Sequence, residues 1–122
     1  MGWIMQSLLV IEDDPEVRRH VHEALEEAGY RVLTAANGDE GLCLFRAQPV
    51  DLALVELHIP GMDGLDLVRM LRNIRHRTKI IAIAGGICDW EYLAVYRGAH
   101  MTLQKPFSRH ALLEAVRTQL QS

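Results

Sequence analysis

Short apolar runs alternate with stretches of helical period along this chain, and that alternation constrains the fold more than any other feature. Leu8-Leu9-Val10-Ile11 and Leu52-Ala53-Leu54-Val55 are continuous apolar runs. Such runs suit parallel strands buried on both faces. Tyr30–Ala35, Lys79–Ala84 and Met101–Leu103 complete a predicted set of five strands. Between them the period changes. Asp14-Pro15 reads as an N-cap with Pro at the first helical position, and Val17, Val21, Leu25 and Ala28 then mark one helical face that Gly29 ends. Asn37-Gly38 reads as a turn, and Asp39–Ala47 as a short helix with Leu42, Leu44 and Phe45 inward, broken by Gln48-Pro49. After a loop over Leu57–Gly64, a third helix carries Leu65, Val68, Leu71 and Ile74. A fourth spans Asp89–Arg97 and stops at Gly98. Ser108 caps a fifth, which carries Leu112, Leu113, Val116 and Leu120. Strands joined by helices of this length imply crossovers and a parallel sheet. The expected class is α/β, an open doubly wound sheet with five helices, and such sheets place their sites at the C-terminal ends of strands.

A chain of 122 residues fits one such domain. Lys and Arg number 13 and Asp and Glu 16, a formal charge of −3, with no basic run, so direct nucleic-acid binding is not expected. No apolar stretch approaches the roughly 20 residues of a membrane span. The N-terminus has neither the basic flank nor the cleavage pattern of a signal peptide. Cys43 and Cys88 are too few for a secreted disulfide framework, and the expected location is cytoplasmic. Residues 1–6 read as a tail and 7–122 as the domain, with no internal repeat or linker.

Four strand ends carry the chemistry. The first strand runs into Glu12-Asp13, the third ends in Glu56, the fourth in Ala84 with Gly85-Gly86 behind it, and the fifth leads to Lys105. Carboxylates converging on one crevice repel one another unless a cation sits among them. Mg²⁺ is the hard ion suited to such oxygens. Lys105 offers a fixed positive charge and a donor for a phosphoryl-like or carboxylate oxygen. The plainer reading is acids solvated at a sheet edge, with Lys105 paired to one of them.

The chain resembles the receiver domains of bacterial two-component response regulators. The resemblance rests on Leu9–Asp14, on Asp51–Gly64 (DLALVELHIPGMDG), on Gly98-Ala99 and on Leu103-Gln104-Lys105-Pro106-Phe107, in the family's order and spacing from about Ser7 to Leu120. It implies a flavodoxin-like sheet of order 2-1-3-4-5 and a role in phosphorelay signal transduction rather than an enzymatic one. Mg²⁺ is the cofactor it implies, held by Glu12, Asp13, Glu56 and the backbone carbonyl of His58. Lys105 matches the family's lysine, whose peptide to the following proline is often cis.

The departures from the family are as informative. Glu56 stands where the family has its phosphoaccepting Asp, and its carboxylate reaches about 1.5 Å further, one C–C bond. In-line phosphoryl transfer depends on position, so that displacement is costly. Ala84 matches the Ser or Thr that follows the phosphoryl group, and Thr102 matches the switch aromatic. The chain is therefore expected to be an atypical receiver with impaired or absent phosphorylation, acting through protein–protein contacts, with Glu56 reaching Lys105 as an ion pair. The alternative is a Mg²⁺-dependent receiver that still accepts phosphate. A small flavodoxin-like enzyme is a third class, but Glu12-Asp13-Asp14-Pro15 would repel a phosphate and no Gly-rich phosphate loop is present.

The implied partners are a sensor histidine kinase or phosphotransfer protein, or a downstream effector. A homodimer through the fourth helix, fifth strand and fifth helix is a further expectation, because Trp90, Tyr92, Val95 and Tyr96 give the fourth helix unusual aromatic content. The scattered histidines, His20, His22, His76, His100 and His110 among them, read as surface or loop residues, and the two cysteines as free thiols. Trp3 and Ile4 read as part of the tail.

Overall fold

The computed structural model describes residues 5–85, 94–95 and 97–122. Five strands, β1 (Ser7–Ile11), β2 (Arg31–Ala35), β3 (Leu52–Glu56), β4 (Lys79–Gly85) and β5 (Met101–Lys105), form one sheet of order β2-β1-β3-β4-β5. Every neighbouring pair is parallel; Leu8, for example, registers with Val32 on one side and Leu52 on the other. The helices described are α1 (Pro15–Glu27), α2 (Gly38–Ala47), α3 (Gly64–Ile74) and α4 (Arg109–Leu120). This is the doubly wound, flavodoxin-like α/β architecture expected from the alternation.

The two faces of the sheet explain why the strand sequences are apolar without a break. Leu8, Val10, Leu52, Leu54, Ile81, Ile83 and Leu103 pack with Val21, Leu25, Leu112 and Val116 of α1 and α4. Leu9, Ile11, Ala53, Val55, Ile80, Ala82 and Ala84 pack with Leu42, Phe45, Val68 and Leu71 of α2 and α3. Successive residues of a strand thus enter opposite layers, and both layers are buried.

Helix starts are capped by side chains that sit just beyond strand ends. Asp14 Oδ1 accepts from Glu16 N at 2.9 Å and Val17 N at 3.3 Å. Asn37, predicted only as a turn, caps α2 by accepting from Glu40 N at 2.8 Å. Asp63 caps α3 through Leu65 N at 2.8 Å, and Ser108 caps α4 through Ala111 N at 3.0 Å. Each cap is worth about 1 kcal/mol and gathers helix N-termini around the C-terminal rim of the sheet.

Several boundaries differ from the sequence reading. Ala28 is exposed, because α1 ends at Glu27 and Gly29 turns the chain at φ 99°; Ala24 fills the stripe between Val21 and Leu25 instead. Helix α2 starts at Gly38 and lies so close to β1 that a Cβ on Gly41 would sit 2.5 Å from Ile11 Cδ1. Leu44, Ile74, Leu113 and Leu120 are half-buried rather than central to the core. Strand β5 continues past Leu103 to Lys105, because β4 runs on to Gly85 and the two residues register.

Of the predicted tail, Gln6 is tied in by Arg31 N, which donates to its carbonyl at 3.0 Å, and Met5 is exposed. Trp3, Ile4, Gly86, Cys88, Trp90, Tyr92 and Tyr96 lie outside the described residues, as does most of the predicted helix Asp89–Arg97. Ala94 and Val95 are helical. Cys43 is exposed on α2.

Candidate functional site: the acidic crevice at the strand ends

Period-two geometry assembles the site. Glu12, Glu56 and Lys105 lie two residues beyond Val10, Leu54 and Leu103, which share one apolar layer. All three side chains therefore leave the sheet on the α1–α4 side, at its C-terminal rim. Lys105 Nζ stands 2.5 Å from Glu56 Oε1 and 2.9 Å from Glu12 Oε1. Both carboxylates are buried, Glu12 at 0% and Glu56 at 3% exposure, while the lysine side chain keeps 26%.

The remaining carboxylate oxygens are bound by backbone. His58 N donates to Glu56 Oε2 at 2.9 Å, and Asp14 N donates to Glu12 Oε2 at 3.2 Å. Glu56 is thus held at both oxygens. The Lys105 contact to Glu12 is within ion-pair distance but off the direction of a hydrogen bond, so Glu12 Oε1 has no directional donor among the described residues. Burial pushes the Glu12 carboxyl above its ordinary range, against the pull of Lys105 and the Asp14 amide. For Lys105 burial favours the neutral amine, but its close contacts with the Glu56 and Glu12 carboxylates outweigh it and raise its pKa above the usual lysine value. The ammonium is the counter-ion of the crevice.

Asp13, expected beside Glu12 in the cluster, is exposed on the rim and makes no ion pair with Lys105. Sequence reasoning missed Arg18. Its Nη1 donates to the carbonyls of Glu12 at 2.9 Å and Asp13 at 3.3 Å, which fixes the β1–α1 loop and adds positive charge beside it. The signal was available: Arg18 lies one helical turn after the capping Asp14 and so faces back over that loop.

Ala84 is buried in the opposite layer, and Thr102 is half-buried on β5 in register with Ala82. The peptide from Lys105 to Pro106 is cis. A cavity of about 450 Å³ adjoins the lysine, lined by Val17, His20, Val21, Gly85, Lys105, Pro106 and Phe107.

The expected Mg²⁺ ligands are not gathered as a ready-made site among the described residues. Two of the carboxylates assigned to the metal are already neutralised in part by Lys105, the third faces outward, and no three His, Cys, Asp or Glu side chains among the described residues are gathered as a metal site. The arrangement can do something else: it holds an anion-binding ammonium and a backbone N–H on a carboxylate that the chain itself supplies.

The sequence model of the response regulator receiver domain matches residues 8–117. The chain belongs to this family. Over 114 residues the receiver domain is 33% identical to the transcriptional regulatory protein HprR of Escherichia coli, covering 93% of this chain and 51% of that protein. Over 69 residues it is 44% identical to the transcriptional regulatory protein AfsQ1 of Streptomyces coelicolor, covering 57% of this chain and 31% of that one. It also matches the CAI-1 autoinducer sensor kinase/phosphatase CqsS of Vibrio cholerae, at 34% identity over 91% of this chain and 17% of that protein. The chain spans about half, or less, of the length of these curated relatives. Among solved structures it is similar to the CheY-like receiver domain protein of Methanospirillum hungatei, with a TM-score of 0.93 and 27% identity over 97% of this chain and 95% of that one. The receiver domain is a signalling domain, and no helix among the described residues is long and apolar enough to cross a membrane.

Proposed function

We propose that this receiver domain acts in phosphorelay signal transduction as an atypical, phosphorylation-independent interaction module, its crevice closed by its own glutamate. One observation carries the reading. Both oxygens of Glu56 are occupied, Oε1 by Lys105 at 2.5 Å and Oε2 by His58 N at 2.9 Å. Phosphoryl transfer needs an unencumbered acceptor oxygen in line with the donor, and free donors to receive the transferred oxygens. Glu56 offers neither.

Two further features support it. Ala84 has no hydroxyl with which to report a phosphoryl group, and two carboxylates of the metal set, Glu12 and Glu56, are both within ion-pair distance of Lys105. In this reading Glu56 takes the phosphoacceptor position, Ala84 and Thr102 take the switch positions, and residues 7–122 form the domain. Its partner is a cytoplasmic protein, a sensor kinase, phosphotransfer protein or effector, recognised by shape rather than by phosphorylation state. Self-association through β5, α4 and the segment before β5 is part of the same proposal.

Intact-mass measurement after incubation with Mg²⁺ and a small acyl-phosphate donor tests it. The natural chain is expected to gain no phosphoryl group, and the double variant Glu56→Asp, Ala84→Ser is expected to gain one. A phosphoryl group on Glu56 of the natural chain overturns the reading.

A further inference from the structure

His100 immediately precedes β5 and is bonded twice to one residue of β4. His100 N donates to Ile80 O at 2.7 Å, and Ile80 N donates to His100 Nδ1 at 3.0 Å. Ile80 is fully buried, so the imidazole satisfies a main-chain N–H that water does not reach. Strand β5 is the edge of the sheet and has β4 as its one strand neighbour.

We propose that His100 is a pH-responsive latch that fastens the start of β5 to β4 through its neutral imidazole. The chemistry is a single protonation. Nδ1 accepts the Ile80 N–H with its lone pair; a proton on Nδ1 uses that lone pair and turns the acceptor into a donor facing a donor. The bond is lost and Ile80 N–H is left buried without a partner. Among the described residues the charged groups acting on the ring are Lys79 of β4 and Arg72 of α3, both cations, and no carboxylate lies within ion-pair distance of it. Burial, then these two cations, hold the imidazole pKa below its ordinary value. A histidine with a depressed folded pKa contributes stability above pH 6.5, and that contribution is lost as pH falls from there through the folded value. Acid therefore loosens the strand that delivers Lys105 to the crevice five residues later. The latch does not depend on how Glu56 behaves.

Nitrogen-15 NMR of the natural chain reads the latch directly. The expected result is a His100 ring protonated on Nε2 alone at neutral pH, titrating below 6.5. The protection of the Ile80 amide against hydrogen exchange should fall about tenfold as it titrates. In His100→Asn, whose side-chain oxygen can accept the same N–H without titrating, Ile80 protection should stay constant over that range. A ring carrying its proton on Nδ1 at neutral pH, or titration that leaves the Ile80 amide unmoved, overturns the proposal.

Discussion

Replacing Lys105 by methionine removes the counter-ion of two buried carboxylates while keeping most of the side-chain stem. Breaking a buried pair by deleting one partner costs about 3–5 kcal/mol, because the other charge is left unpaired. Lys105 keeps 26% of its side chain in solvent, so water replaces part of its effect and the lower end of that range applies. There is also a ceiling. Glu12 can shed its buried charge by taking a proton, and protonating an ordinary glutamate at pH 7 costs about 3.7 kcal/mol. The expected loss is therefore about 3 kcal/mol at pH 7. The ceiling falls with pH. Glu12 has a raised folded pKa, so it takes its proton in the folded state before the unfolded one, and acid favours folding of the variant. At pH 5 the Glu12 share of the loss should shrink to about 1 kcal/mol. Urea unfolding of both proteins at the two pH values measures this. An equal loss at both pH values would make it a packing effect, and a loss well under 1 kcal/mol at pH 7 would mean that the carboxylates are solvated. Either result refutes the ion-triad account.

Other outcomes follow from the same geometry. Amine acylation followed by peptide mass mapping should modify Lys105 more slowly in the natural chain than in Glu56→Gln, because the Glu56 carboxylate holds its ammonium protonated. Gly64→Ala should destabilise by about 2–4 kcal/mol in urea unfolding, because the new Cβ would lie 2.2 Å from Leu57 O and the backbone must shift. Thr78→Val should cost about 1–3 kcal/mol in the same assay, since Thr78 Oγ1 donates to the buried Val50 carbonyl at 3.1 Å.

The sheet was legible because its strands are buried on both faces, which writes Leu8–Ile11 and Leu52–Val55 as unbroken apolar text. Helix capping was half legible. Asp14-Pro15 announces itself, but Asn37 followed by Gly38 carries the signal of a turn as strongly as that of a cap, and only packing of α2 on Ile11 decides between them. In the crevice the residue types and the Glu56–Lys105 pairing were readable from charge and reach. The place of Asp13 was not, because a residue just past a strand end can turn inward or outward, and the Arg18 bonds to the loop carbonyls help to fix which. The Lys105 contact with Glu12 was missed for a related reason: strand alternation aligns Glu12 with Glu56, yet the pair of adjacent acids Glu12-Asp13 suggests a joint metal site before it suggests one partner for the lysine.

The measurement that bears most directly on the closed crevice is the amide spectrum of the natural chain before and after Mg²⁺ and a small phosphodonor are added together. Occupied oxygens on Glu56 predict that the signals of Leu57, His58 and Lys105 stay where they are. Displacement of those signals would mean that the crevice opens to metal and phosphate, and that Lys105 does not hold it shut.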